Sequence, residues 1–440
     1  MITSPASPLG AHDRAMRILV AGGGISGLAT AVALGKRGHH VLVLEQRPVF
    51  TESGAGVRLA PEGFQLLDRL GVGEAVRARS LTINEFRIMD GSTGKPVTSE
   101  SLLAGCGWSC SAHATAHRLD VYEPLLEACW DLDSVQLCAD SRVVGYTQHG
   151  ESVVAALADG RSVTGDALIL TDGARSLVHN DAQQACGASQ EQLAVYSAVI
   201  PMELVASRWQ GRAATSWVGV GWHVSHYPLP DYRYLSLSAT RHRHTGDSLS
   251  GARVDLEQVL AAFPDIGYAA RNALTMGEHW RAWTVLSRKS TSGRVRGRVA
   301  LVGDIAQPAR PLEVSGMHHA LKDAVELGKS WDVSGGGARS WLAEYDARRG
   351  EQACDIRAGC GSRYGQTRWA DDQALARPFL STGTASDRFD GTPWGTSHFC
   401  GRGAGWAGHS AAEADPGHVR GRLITGTITS HPHNTPPPPS

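Results

Sequence analysis

The sequence predicts an α/β protein, a Rossmann-type dinucleotide-binding domain interleaved with a β-sheet domain and followed by a disordered tail. Three observations lead there. In RILVAGGGISGLATAVALGKRGHHVLVLEQRP, Arg17 to Pro48, a strand, a glycine-rich turn, a helix and an acid-terminated second strand follow one another. A β-rich stretch from Ala194 to Thr240 interrupts the strand–helix alternation, which resumes between Gly297 and Trp331. From about Pro378 hydrophobic periodicity gives way to Gly, Ser, Thr, Pro and His.

These changes of character place a flexible N-terminus at 1–15 and a first part of the dinucleotide-binding domain at 16–185, with 80–109 contributing to the second domain's sheet. The β-rich domain follows at 186–284. The first domain returns, with C-terminal helices, at 285–377, and 378–440 is a low-complexity tail. A chain of 440 residues is long enough to bury a sizeable core. With 42 Lys+Arg against 43 Asp+Glu, no basic surplus points to nucleic acid or an acidic membrane surface. The first residues, MITSPASPLGAHDRAMR, lack the apolar core of a signal peptide, and no run approaches the ~18 apolar residues of a membrane helix. A soluble cytoplasmic protein is the expectation. The eight cysteines include no CxxC pair and no zinc-type spacing, so they read as free thiols in a reducing compartment, with no metal site.

Within the opening unit, Ile18 to Ala21 is an apolar run suited to a buried parallel strand. Gly22, Gly24 and Gly27 spell GxGxxG: the first permits the turn, the second lets backbone approach a pyrophosphate, and the third lets the helix pack close to the strand. The helix, read as Ser26 to Arg37, points its positive end at the phosphates and stops at Gly38. Glu45 closes the second strand 18 residues beyond Gly27, where a carboxylate accepts from ribose hydroxyls and repels a 2′-phosphate. A second GxGxxG at Gly403, Gly405 and Gly408 has no strand before it and no helix pattern after it, so it is chance.

Two later motifs decide which dinucleotide: DALILTDGARSLVHN, with Asp172, Gly173, Arg175 and Ser176 at a strand end, and GRVALVGDIAQPARPLEVSGMHHALKDAVELG, with Gly303, Asp304 and Gly316. Together with GAGVRLAPEGFQLLDRLGV, HRLDVYEPLLEA and WVGVGWHVSHYPL, they make the stretch from about Arg17 to Arg349 resemble the single-component FAD-dependent aromatic hydroxylases of the salicylate and 4-hydroxybenzoate hydroxylase type. The resemblance implies the 4-hydroxybenzoate hydroxylase-like fold, with the β-rich insert as substrate domain. It implies tightly but non-covalently bound FAD and NAD(P)H as co-substrate. The implied reaction is hydroxylation of a phenolic or polycyclic aromatic by O2 through a flavin C4a-hydroperoxide.

The FAD contacts it implies are Gly22, Gly24, Ile25, Ser26, Gly27, Glu45, Gln46, Arg58, Arg118, Asp172, Gly303, Asp304, Gly316 and Met317. Asp304 is assigned to a ribityl hydroxyl and Arg118 to the flavin region. The helix opening near Gly316 would stabilise charge on the flavin N1–C2 edge. Asp172 to Ser176 is linked to handling of both FAD and NAD(P)H. Pro308 and Pro311 match prolines that pass the reactive edge.

An apolar pocket with few polar groups is the expected substrate site. Reading WVGVGWHVSHYPL as one alternating strand puts Trp217, Gly219, Gly221, His223, Ser225 and Tyr227 on a single face, with His223 and Tyr227 as the pocket's polar candidates. The sequence departs from the family at Gln307, where GDIAQ replaces a histidine-ended motif, at His179, where arginine is usual, and at LEVS, which adds Glu313. These departures keep open an alternative: an FAD-bound protein without oxygenase activity, a non-redox cyclase or ligand-binding scaffold. The WxWxIP signature of flavin halogenases is absent, since HWRAWTVL with Trp280 and Trp283 does not match it. No catalytic dyad of an NAD-dependent dehydrogenase is evident. The chain reads as a monomer or a homodimer.

Overall fold

Strand β1 (Arg17–Ala21) is apolar on both faces because both are covered. Ile18 and Val20 pack into one core with the helices, and Leu19 and Ala21 into a second core on the other side. The computed structural model describes residues 15–52, 56–102, 112–171, 173, 191–243, 249–287, 293–306, 315–334 and 336–363. In it β1 lies inside a six-stranded sheet ordered Val295–Arg296, Val299–Leu301, Ala167–Leu170, β1, β2 (His40–Leu44) and Val135–Cys138. All neighbours are parallel except the first pair.

This strand order has a consequence for distant parts of the chain. Ala21 pairs with Leu170, which pairs with Leu301. The turns beginning at Gly22 and Gly303 therefore leave the same edge of the sheet with one strand between them, about 10 Å apart at ordinary strand spacing.

Helix α1 (Ile25–Gly35) follows the first turn and is buried at every residue but Ser26, which is half-buried. It begins one residue before and ends two residues short of the expected Ser26 to Arg37 span, and Gly38 at φ +80° lets the chain reverse into β2. After β2, strand β3 (Gly56–Leu59) leads into α2 (Pro61–Leu70). That helix starts on Pro61, whose missing N–H costs nothing there, and ends on left-handed Gly71. Its inner face buries Phe64, Leu66, Leu67 and Leu70.

The second sheet has eight strands, ordered Ser250–Arg253, Arg281–Ser287, Glu191–Pro201, Tyr234–Arg243, Trp222–Pro228, Ala213–Gly219, Glu85–Asp90 and Pro96–Ser101. The last two come from the first third of the chain, and Glu85–Asp90 pairs parallel with Ala213–Gly219. One face packs on the helices Leu256–Ala262 and Tyr268–Leu274, where Trp222, Val224, Leu237, Phe263 and Ala270 form a core.

The segment read as one strand, WVGVGWHVSHYPL, is a hairpin. Val220 and Gly221, the latter at φ +72°, make its turn. Trp217 pairs with Val224, and Val218 with His223. Trp217 thus lies on the helix-covered face, opposite His223, and the expected single face running from Trp217 to Tyr227 is corrected. A two-residue turn resets the alternation between strands, which counting along the sequence does not register.

Candidate active site

The glycine turn is built as tightly as its spacing implies. Gly22 sits at φ +113°, a conformation that side chains rarely adopt. A Cβ on Gly27 would stand 1.9 Å from the Gly22 carbonyl oxygen, whereas one on Gly24 would meet nothing within 4 Å. Gly27 therefore closes helix against strand, and Gly24, the N-cap of α1, borders open space. Thr171 clamps the turn from the neighbouring strand, its hydroxyl donating to Ala21 O at 2.8 Å and Gly22 O at 3.0 Å. Glu45 is nearly buried and accepts from Gly23 N at 2.6 Å and Arg47 N at 3.0 Å. Its carboxylate is thereby fixed beside the turn, with lone pairs left for a ligand. Phe50 lies over Gly23, while Gln46 is exposed.

The second strand end meets the first. Gly303, at φ +79°, approaches Ser26 so closely that a Cβ there would stand 2.5 Å from Ser26 Oγ. Its amide donates to Asp323 Oδ2 at 2.8 Å. Asp323 is fully buried on the helix Ser315–Ser334 and also accepts from Arg349 Nε at 2.5 Å and Arg294 Nη1 at 3.3 Å. The turn is thus held by a buried ion cluster shared between that helix and the C-terminal helix Ala338–Arg363.

Asp304 reaches solvent yet is ringed by protein. That desolvation raises its pKa, against the pull of Arg118. Arg118 begins the helix Arg118–Trp130 and pairs with Glu52 at 3.1 Å. Its Nε is buried without a hydrogen-bond partner among the described residues, and so is the Tyr122 hydroxyl, whose pKa is raised by burial with Glu45 and Glu52 contributing. Tyr122 thus feels the acid of the first turn, Glu45, and Arg118 acts on the acid of the second, Asp304. Gly316 and Met317 occupy the first turn of the Ser315–Ser334 helix, half-buried, with Met317 packed against the main core.

The face of the eight-stranded sheet away from the two helices carries the polar candidates. His223 and Tyr227 lie on it together with Phe86, Ala214, Ser216, Ser225, Ser236, Ser238 and Thr240, as the register pairs require. Ser216 and Ser225 share a buried hydroxyl contact at 2.9 Å. This floor carries more hydroxyls than the expected apolar pocket, because serines fill the positions under the two aromatic side chains.

Burial, then the nearby Arg58 charge, lowers the His223 pKa to about 3, so its imidazole is neutral at physiological pH. Burial raises the Tyr227 pKa, opposed by Arg58 and by a hydrogen bond with Ser236. Strand β3 crosses above this face. Its Val57 and Leu59 turn to the dinucleotide-domain core, while Gly56 comes so near Tyr227 that a Cβ would stand 2.8 Å from Cε2. By alternation Arg58 follows Gly56 toward the sheet, and its Cζ lies 5.1 Å from the Phe86 centroid.

The structure therefore brings Gly22, Gly24, Ile25, Ser26, Gly27, Glu45, Gly303 and Asp304 to one edge of the first sheet, and Arg58, His223 and Tyr227 to one face of the second. Arg118 acts electrostatically on both Asp304 and Tyr227. Asp172, Arg175, Ser176, His179, Gln307, Pro308, Pro311 and Glu313 lie outside the described residues, as does the 378–440 tail. Sequence reasoning missed Phe50, Glu52, Tyr122, Thr171 and Asp323. Asp323 sits in KDAVEL, where the neighbouring charges make it look like one more surface acid. Among the described residues no group of His, Cys, Asp and Glu could hold a metal ion, and no helix is long and apolar enough to cross a membrane.

Comparison with known proteins adds an independent line. A family profile described as an FAD binding domain matches residues 15–357. The 3-hydroxybenzoate 6-hydroxylase 1 of Aquipseudomonas alcaligenes is 32% identical over 323 residues, 72% of this chain and 81% of that protein. The 3-hydroxybenzoate 6-hydroxylase of Polaromonas naphthalenivorans is 34% identical over 325 residues, 72% and 79% of the two chains. In fold, a salicylate hydroxylase substrate complex superimposes with a TM-score of 0.66 at 22% identity, covering 83% of this chain and 93% of that one. Klebsiella pneumoniae HpxO complexed with FAD and uric acid gives 0.66 at 23% identity, covering 83% and 91%.

Proposed function

The chain belongs to the FAD-binding aromatic hydroxylase family, and from that premise we propose that it hydroxylates a phenolic ring held on the sheet face of His223 and Tyr227, with NAD(P)H as reductant and O2 as oxidant. The observation that carries this reading is the crossing of β3 over the sheet face. Gly56 lies so near Tyr227 that a Cβ would stand 2.8 Å from its Cε2, while Val57 and Leu59 of the same strand pack into the dinucleotide-domain core, so the two sites adjoin.

The residues present fit FAD. Gly24 faces open space where a pyrophosphate approaches, the Glu45 carboxylate is fixed beside it, and the buried Arg118 Nε and Tyr122 hydroxyl lack protein partners among the described residues. Gly22 to Gly27 with Glu45 would hold the adenosine half, and Gly303–Asp304 with Arg118 the flavin half. When bound, FAD supplies the electron transfer from NAD(P)H and the delivery of one oxygen atom to the ring.

The chain's own contribution is binding and orientation. The neutral His223 imidazole accepts a hydrogen bond from the phenolic hydroxyl and orients it as the ring becomes electron-rich. The Tyr227 hydroxyl, tied to Ser236, holds the substrate oxygen in register. Phe86, Leu229 and Ala214 line the same face and keep water from the ring. The test is incubation of purified protein with FAD, NADH or NADPH, 18O2 and a panel of hydroxybenzoates and naphthols. The reading predicts ligand-stimulated NAD(P)H oxidation and one 18O atom in product. A yellow protein inert to both pyridine nucleotides overturns it in favour of a non-oxygenating flavoprotein.

A further inference from the structure

Four serines form a straight row across the second sheet. Ser216 pairs with Ser225, Ser225 with Ser238, and Ser238 with Ser197, on four adjacent strands. The register puts all four side chains on the face of His223 and Tyr227. At ~4.8 Å between neighbouring strands the row is about 14 Å long. Its cover thins along that length. Ser216 and Ser225 are buried at 1% and 8% exposure, Ser238 and Ser197 are half-buried, and Arg281, which pairs with Ser197, is exposed. The two ends also differ in their bonding. Ser216 and Ser225 answer each other at 2.9 Å, whereas the Ser238 and Ser197 hydroxyls have no hydrogen-bond partner among the described residues. Thr240 stands beside Ser238 on the same strand and face. It is 5% exposed, and its hydroxyl likewise has no partner among the described residues. A hydroxyl taken out of water without a partner lowers stability, and is retained where a ligand completes the bond. Val195 and Val199 flank Ser197 on the same face, so the outer row is a line of hydroxyls with apolar margins.

A phenol held by His223 and Tyr227 lies over Ser225, the residue midway between them on the strand. Ser238 and Ser197 are then one and two strands beyond it, ~5 and ~10 Å farther out. A single ring with only small substituents leaves that outer pair idle. The row also carries no charge before Arg281, whose Nη1 donates to the Gly251 carbonyl oxygen. We propose that the outer row is a side-arm subsite, and that the substrate is a phenol whose ring carries an uncharged, hydrogen-bonding arm, an aryl amide, ester or glycoside, laid across the strands toward Ser238 and Ser197. The inference rests on the hydroxylase reading and adds to it what lies beyond the ring. Hydrogen bonds along the arm fix its axis, and with it the ring carbon that faces the cofactor cleft.

The experiment titrates FAD-loaded protein with 3-hydroxybenzamide, its N-(3-hydroxypropyl) derivative and its N-butyl derivative, following the visible flavin spectrum. The two longer amides have arms of equal length and differ only in a terminal hydroxyl against a methyl group. Wild-type protein is expected to bind the hydroxypropyl amide about three- to tenfold more tightly than the butyl amide, the range of one neutral hydrogen bond. Ser197→Ala should bring that ratio to about one, while 3-hydroxybenzamide, which ends short of Ser197, binds the variant as it binds wild type. Ser197→Thr, which keeps the hydroxyl on a strand-favouring side chain, should retain the preference and serves if the Ala variant does not fold. Three results overturn the assignment: no preference for the hydroxypropyl amide by the wild type, a Ser197→Ala ratio equal to wild type, or a Ser197→Ala protein that loses 3-hydroxybenzamide by the same factor as the longer amides. Wild-type protein that does not take up FAD sinks the hydroxylase reading itself, whereas FAD-loaded protein indifferent to the terminal hydroxyl sinks only the side-arm subsite.

Discussion

Asp323→Asn is the substitution whose effect the structure defines most sharply. The carboxylate is fully buried, receives the Gly303 amide at 2.8 Å, and answers two guanidinium groups, Arg349 fully buried and Arg294 at 6% exposure. Asparagine has nearly the same size and keeps a carbonyl acceptor, so the Gly303 contact survives while the negative charge is lost. Removing one partner of a buried ion cluster costs about 3–5 kcal/mol, a large share of the ~5–15 kcal/mol that stabilises a typical domain. At about 2 °C per kcal/mol for a domain of this size, apparent Tm should fall by at least about 6 °C. The assay is thermal and urea unfolding of FAD-free protein, with FAD Kd measured separately by fluorescence quenching. Asp323→Asn should lose stability and hold its FAD Kd within about threefold, whereas Asp323→Leu, which also removes the acceptor for Gly303, should lose both. Arg348→Lys, beside Arg349 on the C-terminal helix but half-exposed and paired with Glu326, is the control and should change neither. An Asp323→Asn protein within about 1 kcal/mol of wild type refutes the charge-paired latch.

Three further outcomes follow from the same geometry. Gly27→Ala places a Cβ 1.9 Å from the Gly22 carbonyl and 2.9 Å from Thr171 Oγ1, and backbone cannot rotate away, so a loss of about 1–3 kcal/mol in urea unfolding is expected; Gly24→Ala should keep wild-type stability and weaken FAD instead. His223 and His226 both have folded pKa values of about 3 against 6.5 when unfolded. The unfolded chain therefore takes up protons first, and stability present above pH 6.5 is lost on acidification toward pH 3. At pH 5 the loss is about 2 kcal/mol per histidine, and a urea midpoint flat from pH 7 to pH 5 would contradict it. His223→Leu should lower kcat/KM for a phenolic substrate by about tenfold, the worth of one hydrogen bond, while leaving FAD uptake intact, and equal turnover would remove His223 from holding the phenolic hydroxyl.

The dinucleotide half of the molecule was legible because its constraints are local. Gly22 needs a positive φ, Gly27 has no room for a Cβ, and a strand buried on both faces reads as an unbroken apolar run. The meeting of Gly303 with Ser26 was legible only through the family resemblance, since strand order depends on pairing between segments far apart in the chain. The sheet face was half legible. His223 and Tyr227 do share it, being four residues apart on one strand, but Trp217 does not, because Val220 and Gly221 turn the chain between them. The direction of Arg58 and the burial of Asp323 were not legible at all: the first is set by what β3 packs against, the second by two arginines at Arg294 and Arg349.

The central claim is that two distant strand ends, near Gly22 and near Asp304, grip opposite halves of one FAD. Equilibrium titration of wild-type and Asp304→Ala protein with FAD and, separately, with ADP tests it most directly. One FAD per chain is predicted for the wild type, with Asp304→Ala weakening FAD about tenfold or more and leaving ADP affinity unchanged. An Asp304→Ala protein that holds FAD as tightly as wild type, or loses ADP in equal measure, contradicts the claim.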